Sequence, residues 1–317
     1  MKKLFTLLFA LCIVSFYTIA QEVSEVPEFK TGRAAGNSLE NKLKKSPKKI
    51  LINSFRINYQ ILYTDWEGTR AGVYTGKTSA ELTVAFEGMA EADYQKITDD
   101  LYQVYIANFQ SLGYEVLSAE VLDGHKAVKK HSLTTGGQAS YAIKDGYIAT
   151  TPTGFQYYAD EKSRPALAGK MRGVDAVVVD INIDVPFMID SESGASKLAT
   201  KAVGGVSKVV ASPSLRIDGG SDITFVDPAF LAVVKAVMKD EITIGGVFKD
   251  EKFKASSAAQ TNTSYDLGHI TRVYSTDVNT SKVQVAEGDP EKYKKGVAEA
   301  VNKLLVAANN HLVSFTK

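Results

Sequence analysis

Cysteine is almost absent from this sequence. The single cysteine, Cys12, lies inside the apolar run Leu4–Val14, which belongs to a predicted signal peptide. Once that segment is cleaved, the chain has no disulfide, no thiol nucleophile and no cysteine-ligated zinc or iron–sulfur cluster. The protein must therefore be held together by its core, and a chain of 317 residues with 44% hydrophobic content is long enough to form one.

Long hydrophobic runs are also missing beyond the N-terminus. Two lysines, the apolar run and small residues ending at Ala20 make Met1–Ala20 a typical secretory signal peptide, with cleavage before Gln21. The apolar run is shorter than the roughly 20 residues that a membrane span needs. We expect no transmembrane segment in the mature chain. We predict export to the periplasm or outer envelope of a bacterium, or secretion from it.

Neither sign of charge dominates the chain. It has 37 basic residues (lysine and arginine) and 36 acidic ones, and two of the lysines leave with the signal peptide. A protein so close to neutrality lacks the positive field that holds nucleic acids non-specifically. We therefore expect no nucleic-acid partner.

The motifs of common enzymes are missing or lie in the wrong context. The four histidines show no metal-binding spacing, and no Gly-x-Ser-x-Gly elbow marks a hydrolase nucleophile. The relaxed phosphate-loop motif Ala71–Thr78 precedes an alternating strand pattern, whereas phosphate binding needs a helix there. We expect no cofactor and no metal ion, and we predict a turn at Ala71–Thr78.

The chain is organised around Val174–Val185. One side of this segment is apolar throughout, and the other is apolar at first and then carries Asp180, Asn182 and Asp184. A strand that is apolar on both sides in its first half must be covered on both sides there. We predict that this segment is the central strand of a sheet.

Other patterns surround this strand. They predict a strand over Ile50–Tyr63, a second strand including Leu82–Phe86, a helix over Ala90–Leu112 and a last helix from Pro290. A short helix and a strand fit Ala229–Lys239 about equally well. The fold class is therefore α+β: a mixed β-sheet with a long amphipathic helix after the N-terminal hairpin and a closing C-terminal helix.

The predicted organisation has three sections. Residues 1–20 are the signal peptide, residues 21–49 a flexible polar leader, and residues 50–317 a single α+β domain. Two subdomains that divide near Asp190 are the alternative. The lysines of the leader could contact an anionic membrane surface, although a solvated run of charge is favoured.

A resemblance accompanies this pattern. An export signal, a strand and a helix ending in Leu112-Gly113-Tyr114-Glu115-Val116-Leu117 resemble the small α/β domains of bacterial envelope proteins, such as the TolB N-terminal domain and the curli-secretion lipoprotein family. The resemblance covers Ile50–Val185. The chain departs from it by lacking a lipobox cysteine, by the inserted hairpin and by its long β-rich second half. It implies envelope assembly or scaffolding, and it transfers no functional residue.

Five residues are candidates for ligand binding: Asp180, Asn182, Asp184, Tyr157 and Tyr158. The first three match the start of a calcium loop, but its glycine and its last glutamate are missing, and strand alternation explains their spacing. They also lie at the carboxyl end of a strand, where α/β sheets often bind ligands. The two tyrosines end an aromatic segment, Tyr141–Tyr158, which could stack on a sugar or a peptide or pack in the core.

Three functions are compatible with the sequence. The favoured one is a non-enzymatic envelope protein that binds an envelope partner or forms a homo-oligomer through an exposed strand edge. The second is a carboxylate-dependent hydrolase using Asp180 and Asp184, because paired carboxylates leave no local signature. The third is a carrier of small ligands with a cavity between helix and sheet.

Overall fold

The structure of this chain, a computed structural model, describes residues 22–29, 42–68, 79–141, 143–158, 167–191, 208–249, 251–256 and 283–316. The elements follow in chain order: β1 (Lys49–Gln60), β2 (Leu62–Gly68), β3 (Ser79–Glu87), α1 (Glu91–Ser111), β4 (Glu115–Leu117), a 3₁₀ turn (Ala119–Leu122), β5 (Thr134–Thr135), β6 (Tyr147–Thr150), β7 (Gln156–Tyr157), β8 (Val177–Val185), β9 (Met188–Asp190), β10 (Lys208–Pro213), β11 (Leu215–Ile217), β12 (Asp222–Asp227), β13 (Ala232–Val237), β14 (Ile242–Ile244), β15 (Phe253–Ser256), β16 (Val283–Glu287) and α2 (Pro290–Thr316). The predicted signal peptide lies outside the described residues.

The main sheet is built around β8 and β1. Its strand order is β13-β12-β8-β1-β4, and β6 pairs with the C-terminal part of β1 on the same edge as β4. Strand β1 is parallel to β8 and β4, whereas β12, β13 and β6 run antiparallel to their neighbours. The predicted α+β fold with a mixed sheet is confirmed, and β8 is its central strand.

Strand β1 contains one extra residue at Asn53. Ile52 pairs with Val179 and Ser54 pairs with Asp180, so the register shifts by one residue between them. Side chains alternate along a strand, and an inserted residue therefore moves every later side chain to the opposite face. This bulge keeps the apolar side chains before and after it in one core cluster: Ile50, Ile52, Phe55, Ile57 and Tyr59.

Both helices cover the first face of this sheet. Their buried aromatic residues belong to the same apolar cluster as the inner side chains of β1 and β8. The ring of Tyr94 on α1 lies 4.9 Å from that of Tyr59, and the ring of Tyr293 on α2 stacks on Phe86 at 5.0 Å. Helix α1 is followed by Gly113 at a φ of +81°, the left-handed geometry that glycine adopts at helix ends.

A smaller apolar cluster covers part of the second face. It joins the first half of β8 to the segments before it: Leu51, Leu122, Val128, Leu167, Ala168, Met171, Ala176, Val178 and Val226. The prediction that the first half of the central strand is covered on both sides is therefore confirmed.

The closing helix α2 begins where the sequence predicts. Asp289 Oδ1 accepts the backbone N–H groups of Glu291 and Lys292, both at 3.1 Å, which satisfies two free donors at the helix start. The helix is tied to α1 by the hydrogen bond from Asn309 Nδ2 to Asn108 Oδ1 at 2.7 Å. The two helices thus form one layer over the sheet.

The predicted strand Ile50–Tyr63 is two strands. Strand β1 ends at Gln60, and β2 belongs to a separate sheet of order β16-β3-β2. The chain turns at Ile61, where the backbone N–H groups of Ile61 and Leu62 both donate to the carbonyl of Gly146. Alternation alone predicted one strand because the side chains stay apolar through this change of sheet.

Within residues 229–239 the chain forms a turn and then strand β13 (Ala232–Val237), so the strand and not the helix is the element found here. Asp227 Oδ1 accepts the N–H groups of Ala229 and Phe230, and Leu231 takes a φ of +50°, so the chain makes a turn here. Strand β13 then alternates buried and exposed side chains against β12. The Asp-Pro pair that suggested a helix start belongs to this hairpin turn.

Part of the predicted leader contacts the folded part of the chain. Residues 22–29 lie beside residues 238–245, with antiparallel bridges from Val23 to Ile244 and from Phe29 to Met238. Leu43 is completely buried in the larger cluster. Apolar side chains spaced along this polar segment thus reach the core, whereas the flexibility of the leader stays a prediction.

Three further small sheets complete the described strands, of orders β15-β10-β9, β11-β14 and β5-β7. The larger apolar cluster includes residues on both sides of Asp190, for example Ile183 and Phe253. The single domain over 50–317 stays a prediction. Neither helix of the described part has the length and apolar character of a membrane span.

The packing of α2 generates a prediction about stability. Leu304 is 1% exposed within the larger cluster. Leu304→Ala is expected to lower the free energy of unfolding by about 2–5 kcal/mol, because it leaves a cavity as well as removing apolar contact. Val104→Ala on the exposed side of α1 is the control and should change it by less than about 0.5 kcal/mol. Denaturant unfolding measures both, and equal midpoints would show that α2 is peripheral.

Candidate functional site

The three predicted polar residues of β8 face a matching row on β1. The register pairs Ser54 with Asp180, Arg56 with Asn182 and Asn58 with Asp184. We call these six residues, with Asn53, the polar cluster. They lie on the second face of the sheet, because the bulge turns this part of β1 to the same side as the polar half of β8.

The polar cluster is joined by short hydrogen bonds. Asn53 Nδ2 and Ser54 Oγ both donate to Asp180 Oδ1, at 2.7 and 3.1 Å. Arg56 donates to Asn182 Oδ1 through Nε and Nη2, at 2.9 and 2.8 Å. These contacts cross between the two strands, and they connect side chains that are mostly buried.

Asp184 is held from several sides. Its Oδ1 accepts from Asn58 Nδ2 at 2.6 Å, its Oδ2 from Lys144 Nζ at 2.5 Å, and its backbone N–H donates to Ser221 Oγ at 3.1 Å. Burial acts to lower the pKa of Lys144, but the hydrogen bond and charge of Asp184 outweigh it and raise that pKa. Lys144 also lies 4.0 Å from the ring centre of Tyr147. The lysine therefore remains a cation paired with Asp184 at neutral pH.

The polar cluster does not have the form of a calcium loop. Its members are on an extended strand with neighbours on β1, so their spacing of two residues is the alternation of a strand. Among the described residues, no three side chains of His, Cys, Asp or Glu are grouped so that they could hold a metal ion. The phosphate-loop motif Ala71–Thr78 lies outside the described residues, and strand β3 follows it rather than a helix.

The two predicted tyrosines pack against the smaller apolar cluster. Tyr157 stacks on Phe155, with ring centres 5.5 Å apart. The hydroxyl of Tyr158 donates to Asp123 Oδ1 at 2.5 Å, and this hydrogen bond raises the pKa of Tyr158. The structure thus places the predicted aspartates and asparagine in one row, and assigns the tyrosines to the packing that extends the same face.

A pocket that sequence reasoning missed opens at the edge of β1. Strand β4 pairs with residues 49–51 of β1, and β6 pairs with residues 57–60. Between them, Ile52–Arg56 pair with neither strand on this edge. The edge pocket, as we call it, has a volume of about 330 Å³ and is lined by Ile52, Tyr102, Gln103, Leu117, Ser118, Ala119, Thr153, Gly154, Phe155 and Gln156.

The position of the edge pocket follows from the strand connections. The chain enters β4 from α1 on the first face, and it leaves through the 3₁₀ turn, whose Leu122 belongs to the second face. The connections therefore change sides at β4, next to β1. A crevice at the carboxyl end of a strand where the connections change sides is the usual ligand site of open α/β sheets.

One wall of the edge pocket is fixed by α1. Asp99 accepts the backbone N–H of Thr153 at 2.7 Å and its hydroxyl at 2.8 Å, and Gln95 Nε2 donates to the carbonyl of Thr151 at 2.8 Å. Gly136 packs so closely on this loop that an added Cβ would lie 2.5 Å from the carbonyl oxygen of Pro152. The loop is thus held from both sides.

Aromatic rings form a second wall. The ring of Tyr102 contacts those of Phe55 and Phe155, with centres 5.3 Å apart in both cases. Burial raises the pKa of Tyr102 to about 12, so its hydroxyl stays protonated at neutral pH. Phe155 belongs to the aromatic segment noted in the sequence. In the sequence, that aromatic segment was the one signal of the pocket. The lining residues on α1 and β4 showed no pattern that would place them there.

The polar groups of the edge pocket differ in availability. Thr153 is bonded to Asp99, and Ser118 Oγ accepts the N–H of Glu120 at 3.2 Å. Within the described residues, the side chains of Gln103 and Gln156 and the hydroxyl of Tyr102 have no hydrogen-bond partner. These three groups can therefore bind a ligand without breaking an internal contact.

No protein-family model matches this chain, and no curated protein is significantly similar to it in sequence.

The polar cluster generates a second prediction about stability. Asp180→Ala leaves the buried donors of Asn53 and Ser54 without an acceptor, which should cost about 1–3 kcal/mol of unfolding free energy. Asp175→Ala is the matched control, because Asp175 pairs with Lys49 at an exposed position just before β8 and should change stability by less than about 0.5 kcal/mol. Thermal and denaturant unfolding compare them, and a neutral Asp180→Ala would contradict a structural role.

Proposed function

We propose that this chain is an exported, non-enzymatic binding protein of the bacterial cell envelope, and that the edge pocket is its ligand site. The observation that carries this proposal is a set of polar groups on Tyr102, Gln103 and Gln156 that have no hydrogen-bond partner among the described residues, in a pocket whose loop is held by Asp99. A preformed pocket whose lining combines available polar groups with the rings of Tyr102 and Phe155 suits reversible binding. Export is supported by the sequence of Met1–Ala20.

The polar cluster supports binding over hydrolysis. A hydrolase with two carboxylates needs both of them to face an open substrate site. Asp180 is buried and accepts hydrogen bonds from two neighbours on β1, and Asp184 is engaged by Asn58 and Lys144. These contacts use the carboxylates to join strands, so the hydrolase alternative is the weaker one.

The binding proposal is tested on the purified mature chain, after intact mass has established whether it begins at Gln21. Gln103→Trp places a large ring at the pocket and should lower binding to the envelope fraction of the cells that make the protein by at least about tenfold, or 1.4 kcal/mol. Gln110→Trp, at an exposed position two turns along α1 that does not line the pocket, should bind normally. Co-sedimentation measures both.

Two results would contradict the proposal. One is envelope binding that Gln103→Trp leaves unchanged. The other is release of product from an ester or glycan that depends on Asp180 while envelope binding is absent. Both variants should keep the melting temperature of the parent, because both replaced side chains are exposed.

A second binding mode has support from β13. Among the described strands, β13 ends the order of the main sheet. Phe230 and Leu231 in the turn before it and Val233 on the strand itself are exposed. An edge strand can pair with a strand of another chain, and exposed apolar residues next to it add area to bury. A partner protein or a second copy of this chain would then add to the sheet.

Pairing of two chains through β13 is checked by native mass spectrometry. If copies of the chain pair through β13, the purified protein should show a dimer that Val233→Lys shifts to monomer, because a lysine at an edge opposes pairing. Lys235→Gln at the exposed neighbouring position is the control and should leave the dimer in place. A monomer at every concentration would exclude self-pairing.

A further inference from the structure

We infer that the edge pocket binds an uncharged carbohydrate ring. The inference rests on the proposed binding function and names the class of ligand. It follows from three properties of the lining residues: they carry no charge, their available polar groups both donate and accept, and aromatic rings form one wall.

The absence of charge in the lining selects against ionic ligands. None of the ten residues around the pocket is Asp, Glu, Lys, Arg or His. The nearby carboxylate of Asp99 already accepts two hydrogen bonds from Thr153. A phosphate, carboxylate or ammonium group in this pocket would lose its hydration without a partner of opposite charge, which is a large cost.

The available polar groups match hydroxyl groups. Each glutamine amide offers a carbonyl oxygen that accepts and an NH₂ that donates, and the Tyr102 hydroxyl does both. A sugar hydroxyl likewise donates and accepts, so it pairs with either end of an amide. Gln103 on α1 and Gln156 on β7 belong to different walls of the pocket. Hydroxyls at different positions of one ring can therefore be bound at the same time.

The aromatic wall suits the other surface of a sugar. A pyranose presents C–H groups on its flat faces, and the half-buried ring of Tyr102, with the 7% of Phe155 that stays exposed, provides the apolar surface they would contact. Phe155 is held from behind by Tyr157 and from the side by Tyr102. The wall is thus fixed before the ligand arrives, which reduces the entropy lost on binding.

An extended peptide fits less well. The stretch of β1 that pairs with neither β4 nor β6 covers Ile52–Arg56, about 17 Å of strand, and only alternate residues direct their backbone groups to one side. The backbone of β4 meets one end of this stretch and that of β6 meets the other. A peptide could therefore form roughly four backbone hydrogen bonds before leaving the edge. A compact ring fills the space between β4 and β6 better.

The experiment compares neutral and charged sugars of equal size. The purified mature protein is titrated calorimetrically with maltotriose, cellotriose and tri-N-acetylchitotriose, and with two charged counterparts, chitotriose and trigalacturonate. At least one neutral trisaccharide should bind, and chitotriose should bind at least tenfold more weakly than its acetylated form if that form is the ligand. Gln103→Ala and Gln156→Ala should each weaken binding at least tenfold, whereas Gln110→Ala should not.

The outcomes separate this inference from the function it rests on. Binding of a neutral sugar that responds to Gln103→Ala and not to Gln110→Ala supports both. Preference for a charged sugar overturns the ligand class. So does binding that neither Gln103→Ala nor Gln156→Ala weakens. If no neutral sugar binds but Gln103→Trp still abolishes envelope binding, the ligand class is wrong and the binding function stands. In that case competition by an uncharged extended peptide would identify the pocket as a peptide site.

Discussion

The parallel pairing of β1 with β8 is the interaction on which the rest of the structure depends. Each strand is apolar on both faces at its start and polar on one face at its end, and the two patterns coincide only because Asn53 is inserted in β1. Without the bulge, residues Ser54–Gln60 would turn their polar side chains towards the helices. One extra residue thus decides which face forms the core and which forms the polar cluster.

The same pairing explains why a polar cluster is buried at all. Nearly every hydrogen bond within the polar cluster joins β1 to β8. The polar cluster therefore helps to fix the register of these two strands as well as their spacing. The arrangement is not free of cost, because Asn53 Oδ1 and Asn58 Oδ1 are buried and accept no hydrogen bond from the described residues. A closed apolar face would avoid that cost, but it would permit other registers.

Local periodicity predicts the parts of this fold that depend on one segment. The central strand, α1, α2 and its Asp289 cap follow from alternation, helical spacing and capping residues. The bulge at Asn53 and the break at Ile61 could not be predicted from the sequence, because each depends on a partner more than 80 residues away along the chain. The edge pocket is of the same kind: Phe155 belongs to a recognisable aromatic segment, but Gln103 and Leu117 reach it only through the tertiary fold.

The contacts of residues 22–29 have a consequence for the order of folding. Ser24 accepts a hydrogen bond from Thr243, 219 residues later, and Asn53 donates to Asp180 across 127 residues. Such long loops must close before their contacts contribute any stability, and chains dominated by them fold slowly. The first residues after the predicted cleavage site therefore find their partners only when most of the chain is present. In the interval before residues 22–29 pair with it, the edge at 238–245 is open to any other strand in its surroundings.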